Sequence, residues 1–271
     1  MTEGEVLIYR QSRGHAQRTV QTASRVLILT GAGVSAESGI PTFRGPGGLW
    51  RSHRAEDLAT PEAFARDPGL CWEWYAWRQE LVAACLPNSA HWAIAQWLRR
   101  TPGACLVTQN VDGLHELAAK QSAENLDPDP AMPICLHGSI FRTRCTACGS
   151  TSEYRPKTDS SEVDALPRCN GCMGLLRPDV VWFGEMLPER ELGMAETAAE
   201  TSQVCLVIGT QGAVYPAAGL VHRARAGGAT IIVVDPAPTA FDDIADIRLL
   251  GTAGEIVPVI LGSDQPGDQV Q

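Results

Sequence analysis

The stretch RVLILTGAGVSAESGIPTFR, residues 25–44, decides the fold class. Arg25 to Thr30 is a continuous apolar, β-branched run rather than a strict alternation, which predicts a strand buried on both faces, as in a parallel sheet. Gly31 and Gly33 follow at once and permit a tight turn and close backbone approach. A helix N-terminus at that point would offer free N–H groups and a dipole to a phosphate. The glycine spacing departs from the G-x-G-x-x-G fingerprint, because position 36 is Ala and the helix breaks early at Gly39-Ile40-Pro41. No Gly-Lys-Ser/Thr follows, so a Walker loop is excluded. On glycine spacing alone, dinucleotide binding is left open.

Working outward, Ala104 to Thr108 and Val204 to Ile208 repeat the pattern, and Ala229 to Val234 ends at Asp235. Helix-like stretches lie between them: Ser89 to Arg99 after Pro87-Asn88, and Pro216 to Ala226 with Gly227-Gly228 just beyond. This alternation predicts an α/β fold, a Rossmann-like doubly wound parallel sheet over residues 21–48, 81–140 and 177–262. Two segments interrupt it. Residues 49–80, with Trp50, Trp72, Trp74 and Trp77, read as a helical insertion without strand character, and residues 141–176 are too poor in large apolar residues to form their own core. Together they form the expected smaller domain, helical and zinc-binding. Lys120 to Pro133 reads as an exposed loop and residues 263–271 as a polar tail.

Within 141–176, CTAC at 145–148 and CNGC at 169–172 are two Cys-x-x-Cys pairs. Cys145, Cys148, Cys169 and Cys172 would complete a closed tetrahedral thiolate site for one structural Zn²⁺, with Zn–S near ~2.3 Å and no open position for water. The other five of the nine cysteines sit in apolar contexts and are expected to be small core residues. The formal net charge of −9 argues against nucleic acid as a partner, since phosphate binding needs clustered Lys and Arg. With no secretory signal and no long apolar run, a cytoplasmic protein without a membrane partner is expected, most simply a monomer. Asp235 is suited either to ribose hydroxyls or to capping the turn before Pro236.

The stretch TQNVDGLH at 108–115 packs Gln109, Asn110, Asp112 and His115 behind an apolar run, a set suited to a small, polar, largely uncharged ligand. Taken with GAGVSAESGIPTFR, LHG at 136–138, the paired cysteine knuckles, RPDVVWFGE at 177–185, Gly209-Thr210 and VYPA at 214–217, it resembles the sirtuins, NAD-dependent protein deacylases, from about Arg25 to about Leu261. The resemblance implies NAD as co-substrate. It assigns to NAD the residues Gly31, Ala32, Gly33, Ser35, Ile40, Phe43, Arg44 and Trp50 of the first loop, Gln109, Asn110, Val111 and Asp112 of the second, and Gly209, Thr210, Gln211, Asp235 and Ala253 of the later ones. Gln109 and Asn110 would take the ribose and Asp112 the carboxamide, unless Asp112 is a simple helix N-cap. His137, with Asn110, is the implied catalytic residue. The acyl-lysine carbonyl oxygen attacks C1′ of the nicotinamide ribose, nicotinamide leaves, and His137 helps deprotonate a ribose hydroxyl that attacks the imidate. The products are free lysine, nicotinamide and 2′-O-acyl-ADP-ribose. His15, His53, His91 and His222 are expected at the surface and His115 as architectural.

The partners implied are acylated lysine side chains of proteins, contacted by Val181, Trp182, Phe183, Gly184, Glu185, Val214 and Tyr215. The segment WYAWR at 74–78 contains Tyr75 and Arg78, the Tyr-x-x-Arg pair that marks the branch removing succinyl, malonyl and glutaryl groups. A guanidinium forks onto a carboxylate and a phenol adds a third hydrogen bond. The alternative is that both are ordinary helix-surface residues. Ala59 and Thr42 are similar to the same branch. Three departures from the usual family pattern stand out: Gln211 for Ser, Asp235 for Asn, and Cys135 before Leu-His-Gly where Glu is commoner.

Overall fold

The computed structural model describes residues 3–41, 49–51, 53–123, 131–153 and 165–263. Thr42, Phe43 and Arg44, residues 124–130 of the Lys120–Pro133 loop, the stretch Lys157–Asp164 and the tail from 264 onward lie outside the described residues; the first three residues of that expected loop, Lys120 to Ser122, are helical. The strands are β1 (Val26–Thr30), β2 (Leu49–Trp50), β3 (His53–Arg54), β4 (Ala104–Thr108), β5 (Ile134–Cys135), β6 (Gly138–Cys145), β7 (Thr151–Glu153), β8 (Leu176–Val180), β9 (Val204–Ile208), β10 (Thr230–Val234) and β11 (Ile247–Leu249). The helices are α1 (Glu3–Thr22), α2 (Ala55–Leu58), α3 (Pro61–Arg66), α4 (Pro68–Ala83), α5 (Ser89–Arg100), α6 (Leu114–Ser122), α7 (Glu189–Thr201), α8 (Gly219–Ala226) and α9 (Ala253–Leu261).

The main sheet runs β11-β10-β9-β1-β4-β5, and its strand pairs are parallel. Alternate residues of each strand feed two separate cores. Val26, Ile28, Leu106, Leu206 and Ile232 face α1, α5 and α9 through Ala16, Ile94 and Val257, while Leu27, Leu29, Val107, Val207 and Ile231 face α7 and α8 through Ala195 and Val221. Both faces being covered is why these strands are apolar throughout. β1 lies between β4 and β9, so chain order reverses there and a crevice opens at the C-terminal ends of these strands.

Several expectations need correcting. Residues 49–80 are not purely helical: β2 and β3 pair as a two-stranded ribbon before α2. The last expected helix begins at Gly219 rather than Pro216, because Tyr215 to Ala218 form a turn. The glycine loop does not enter an α-helix with free donors. Ala32–Ser38 is a 3₁₀ segment, Gly31 N–H donates to Ile208 O at 3.0 Å and Gly33 N–H to Gly209 O at 2.9 Å. Those glycines are therefore required first by backbone-to-backbone packing: a Cβ on Gly33 would lie 2.7 Å from Gly209 Cα.

Strands β6, β7 and β8 form a second, antiparallel sheet in the order β7-β6-β8, which starts at Gly138 and extends to Val180, beyond the 141–176 expected. It shares a core with α2 to α4 through Ala59, Phe64, Trp72, Tyr75, Ile140 and Trp182. Trp72 Nε1 donates to Leu176 O at 3.1 Å and Gln79 Nε2 to Ile140 O at 2.6 Å, tying the helices to the sheet. At its far end the Sγ atoms of Cys145, Cys148, Cys169 and Cys172 lie within 4.8 Å of one another, with Cys145–Cys172 at 3.5 Å and Cys148–Cys169 at 3.8 Å. A tetrahedron of ~2.3 Å Zn–S bonds has edges of about 3.8 Å, so the donor set fits one structural zinc. Of the remaining cysteines, Cys71 and Cys205 are buried and Cys85, Cys105 and Cys135 half-buried.

Two stability outcomes follow from this packing. Gly33→Ala should cost about 1–3 kcal/mol in urea denaturation, since the opposing atoms are backbone and cannot rotate away; an unchanged midpoint would contradict the observed Gly33–Gly209 contact. Stripping zinc with a chelator, or Cys169→Ala, should lower Tm by about 5 °C or more. Metal-free protein that keeps its full Tm would refute a structural zinc.

Candidate functional site

Three loops converge on the crevice. Gln109 N–H donates to Thr30 O at 3.0 Å, and the Gln109 side-chain amide donates to the Thr210 hydroxyl at 3.1 Å. The turns after β1, β4 and β9 are thereby joined, and Gly31, Ala32, Gly33, Gln109, Gly209 and Thr210 are brought to one place. Ile40 packs in a small cluster with Val82 and Leu114. Ala253, by contrast, is turned into the core at the start of α9.

Behind the Gln109–Asp112 segment lies a buried polar network. Asp112 Oδ2 accepts from the Ser35 hydroxyl at 2.7 Å and Oδ1 from Leu114 N–H at 3.0 Å, so Asp112 closes an Asx turn one residue before the N-cap of α6, which is Gly113, while also facing Ser35. Ser35 Oγ accepts from Asn110 Nδ2 at 3.1 Å. His91 Nδ1 lies 3.2 Å from Asn88 N and 3.0 Å from Asn88 Oδ1, and its Nε2 lies 3.4 Å from Ser35 Oγ. His91 is therefore fully buried, not a surface residue as expected. Its sequence signal was the Asn88-x-x-His91 spacing of a capping box at the start of α5. His15 and His222 are exposed and His53 half-buried. His115 is buried, 3.0 Å from the Thr30 hydroxyl, and packs against His91 with ring centroids 4.6 Å apart and planes tilted by 53°. Burial pushes the His91 pKa down to about 4, and burial, then His91, holds His115 well below the usual histidine range. Both rings are neutral at pH 7. Burial raises the Asp112 pKa, with the Leu114 and Ser35 hydrogen bonds opposing it.

His137 sits between β5 and β6, half-buried. Its Nδ1 is 2.8 Å from Gln109 O. A carbonyl only accepts, so Nδ1 carries the proton and the Nε2 lone pair is left to act as a base. Burial lowers the His137 pKa, partly countered by the Gln109 bond. Backbone bonds from Leu136 N–H to Thr108 O and from Val181 N–H to His137 O, both 2.9 Å, fix its position against the two sheets.

On the other side of the loop, α4 presents Tyr75 and Arg78 one turn apart. Tyr75 is buried and its oxygen accepts from Trp182 Nε1 at 2.8 Å. Arg78 is half-buried with its guanidinium carbon 5.2 Å from the Trp74 ring centroid. Burial lowers its pKa, while Tyr75 and Asp112 act in the opposite direction. The pair is therefore not an ordinary helix surface. Trp50, Ala59, Val111 and Trp182 join Tyr75 in one apolar cluster, and Phe183 N–H donates to Ala59 O at 2.9 Å. Phe183 and Tyr215 are exposed, Val181, Val214 and Glu185 half-buried, and Gly184 turns with φ 87°.

At the opposite end of the crevice, Asp235 Oδ1 accepts from Ala237 N–H at 2.9 Å and from Gln211 Nε2 at 3.2 Å. The turn-capping role is thus realised, and the two departures from the usual sirtuin pattern bond to each other. Burial raises the Asp235 pKa, with the Ala237 and Gln211 bonds opposing it.

The chain is similar to known proteins. The chain is 46% identical over 254 residues to an NAD-dependent protein deacylase of Pyrococcus furiosus, covering 92% of this chain and 96% of the relative. It is 47% identical over 232 residues to NAD-dependent protein deacylase 2 of Pyrobaculum aerophilum, with 86% and 88% coverage. Among solved structures, a Sir2 homologue in complex with NAD superposes with TM-score 0.81 at 44% identity over 92% of each chain. A Sir2–p53 peptide–NAD⁺ complex gives TM-score 0.77 at 27% identity over 97% of this chain and 98% of that one. The Sir2 family model matches residues 31–216, from the glycine loop through the cysteine knuckles to the Tyr215–Pro216 turn, and the chain belongs to the Sir2 family.

Proposed function

We propose that this chain is an NAD-dependent protein-lysine deacylase that removes acidic acyl groups such as succinyl, malonyl and glutaryl. Its names among relatives, NAD-dependent protein deacylase, support the general activity. The acidic preference is carried by one observation: Arg78 is drawn inward against Trp74, within electrostatic reach of Tyr75 and Asp112, rather than extended to solvent. A guanidinium held there beside a neutral phenol matches a carboxylate through two charge-assisted hydrogen bonds and a third from the hydroxyl, and offers little to a neutral acetyl group. Apolar Ala59 and Val111 form the wall along which the acyl chain lies.

NAD supplies the electrophilic ribose carbon and the departing nicotinamide. Gln109 and Asn110 orient ribose hydroxyls, and Asp112, held by Ser35, accepts from the carboxamide. Gln211 and Asp235 address the adenosine end. His137 acts as general base through Nε2, its tautomer fixed by Gln109, and its lowered pKa keeps it in the accepting form at neutral pH.

His137→Ala should reduce deacylation by about 10²–10⁴-fold while leaving NAD affinity by calorimetry within a few-fold. A base works only when unprotonated, so with a lowered pKa the acid limb of kcat/KM should fall below the ordinary histidine value of ~6.5. A limb above pH 7 would reassign the base. Arg78→Met should raise KM for a succinyl-lysine peptide about ten- to a hundredfold relative to an acetyl-lysine peptide. Equal losses on both peptides would overturn the acidic preference.

A further inference from the structure

Tyr75 is useful to a carboxylate only if its hydroxyl donates toward it, and a phenol is free to rotate its proton onto any acceptor. We infer that Trp182 is a positioning residue that holds Tyr75 as a donor, so that the indole N–H determines acyl selectivity through the phenol; this rests on the acidic-acyl reading above.

The geometry carries the inference in two steps. An indole N–H can only donate, so at 2.8 Å the Tyr75 oxygen must accept from Trp182 Nε1. That bond occupies one side of the oxygen and directs the phenolic proton elsewhere, and among the described residues no acceptor for it is found. Burial raises the Tyr75 pKa, with Arg78 and Trp182 opposing, so the proton remains on the oxygen at neutral pH and is there to be given.

Trp182 is itself held on every side. Arg177, buried at 7% exposure, lies with its guanidinium carbon 3.2 Å from the centre of the indole, a cation–π contact. The same Arg177 donates to Glu185 from Nη1 at 2.5 Å and Nη2 at 3.0 Å, and to Val180 O at 2.7 Å. Glu185 in turn accepts the backbone N–H of Trp182 at 2.8 Å. Phe64 packs on the indole with centroids 5.2 Å apart. An ion pair thus fixes both the backbone and the ring of Trp182, and the ring delivers one directed N–H to Tyr75. Such rigid support is what a donor needs if it is to discriminate between acyl groups.

The test is a double-mutant cycle on full-length protein with succinyl- and acetyl-lysine peptides. Trp182→Phe keeps an aromatic ring, smaller than the indole, and removes the N–H. It should lower the succinyl-to-acetyl ratio of kcat/KM about 3- to 10-fold, through KM for the succinyl peptide. In a Tyr75→Phe background the same change should alter the ratio less than twofold, because Trp182 acts through the missing hydroxyl. Equal, multiplying effects in both backgrounds, or a loss shared by both peptides, would show that Trp182 serves packing only and overturn the inference. Should Trp182→Phe not fold, the indole N–H resonance of Trp182 in the wild type decides. It should shift in Tyr75→Phe and respond to succinyl peptide more than to acetyl peptide, and an unresponsive resonance would overturn the relay. Arg78→Met separates the two levels: if it is selective and the cycle is not, the relay fails and the acidic-acyl reading stands, whereas if it is unselective the reading itself fails.

Discussion

The contact of Gly33 with Gly209, backbone against backbone, is the constraint on which the site depends. β1 and β9 are neighbours in the sheet, and the loops leaving them would collide unless both lacked side chains where they cross. With both glycines in place, the Gly31 and Gly33 amides bond to the β9 turn, and the turn after β4 closes the arrangement through Gln109 and Thr210. Among the described residues, the crevice is therefore lined by mutually bonded turns. Such pre-organisation removes the entropy that ordering a flexible loop would cost on binding.

From that frame two kinds of rigidity extend in opposite directions. Toward the core, Ser35, Asn110, Asp112 and His91 form a network in which each polar group has a partner, and two adjacent histidines are kept neutral by burial. Partnered groups in a low-dielectric interior hold their geometry tightly. Toward the smaller sheet, Arg177 and Glu185 clamp Trp182 beside Tyr75. His137 lies between the two, bonded to the β4 turn through its ring and to the segment after β8 through its carbonyl. His137 and Tyr75 are thus referenced to the same two sheets, and their spacing depends on how those sheets pack.

The cysteine cluster lies at the far end of the smaller sheet from the crevice, joined to it by β6 and β8. Trp72 connects β8 to α4, the helix that bears Tyr75 and Arg78. A metal held by these four cysteines fits a structural role, and it would secure the strand against which α4 rests.

Sequence alone determined the parallel sheet, because runs such as Val26 to Thr30 and Val204 to Ile208 have no polar face to give to water. It also determined the thiolate set, because two Cys-x-x-Cys knuckles have few other uses, and the polar segment Gln109 to Asp112 at a strand end. Tertiary structure decided what each group spends its hydrogen bonds on. The glycine amides looked free in one dimension and are taken by β9. His91 looked like a surface residue of α5 and is buried against His115 by the packing of α5 on α6. Gln211 and Asp235, separate anomalies in the sequence, bond to each other. Arg177 and Trp182 bear no hint in the sequence of their hold on Tyr75, more than a hundred residues away. A local pattern records the periodicity and turn chemistry of its own neighbours, whereas a partner contributed by a distant strand is fixed only when the sheets close.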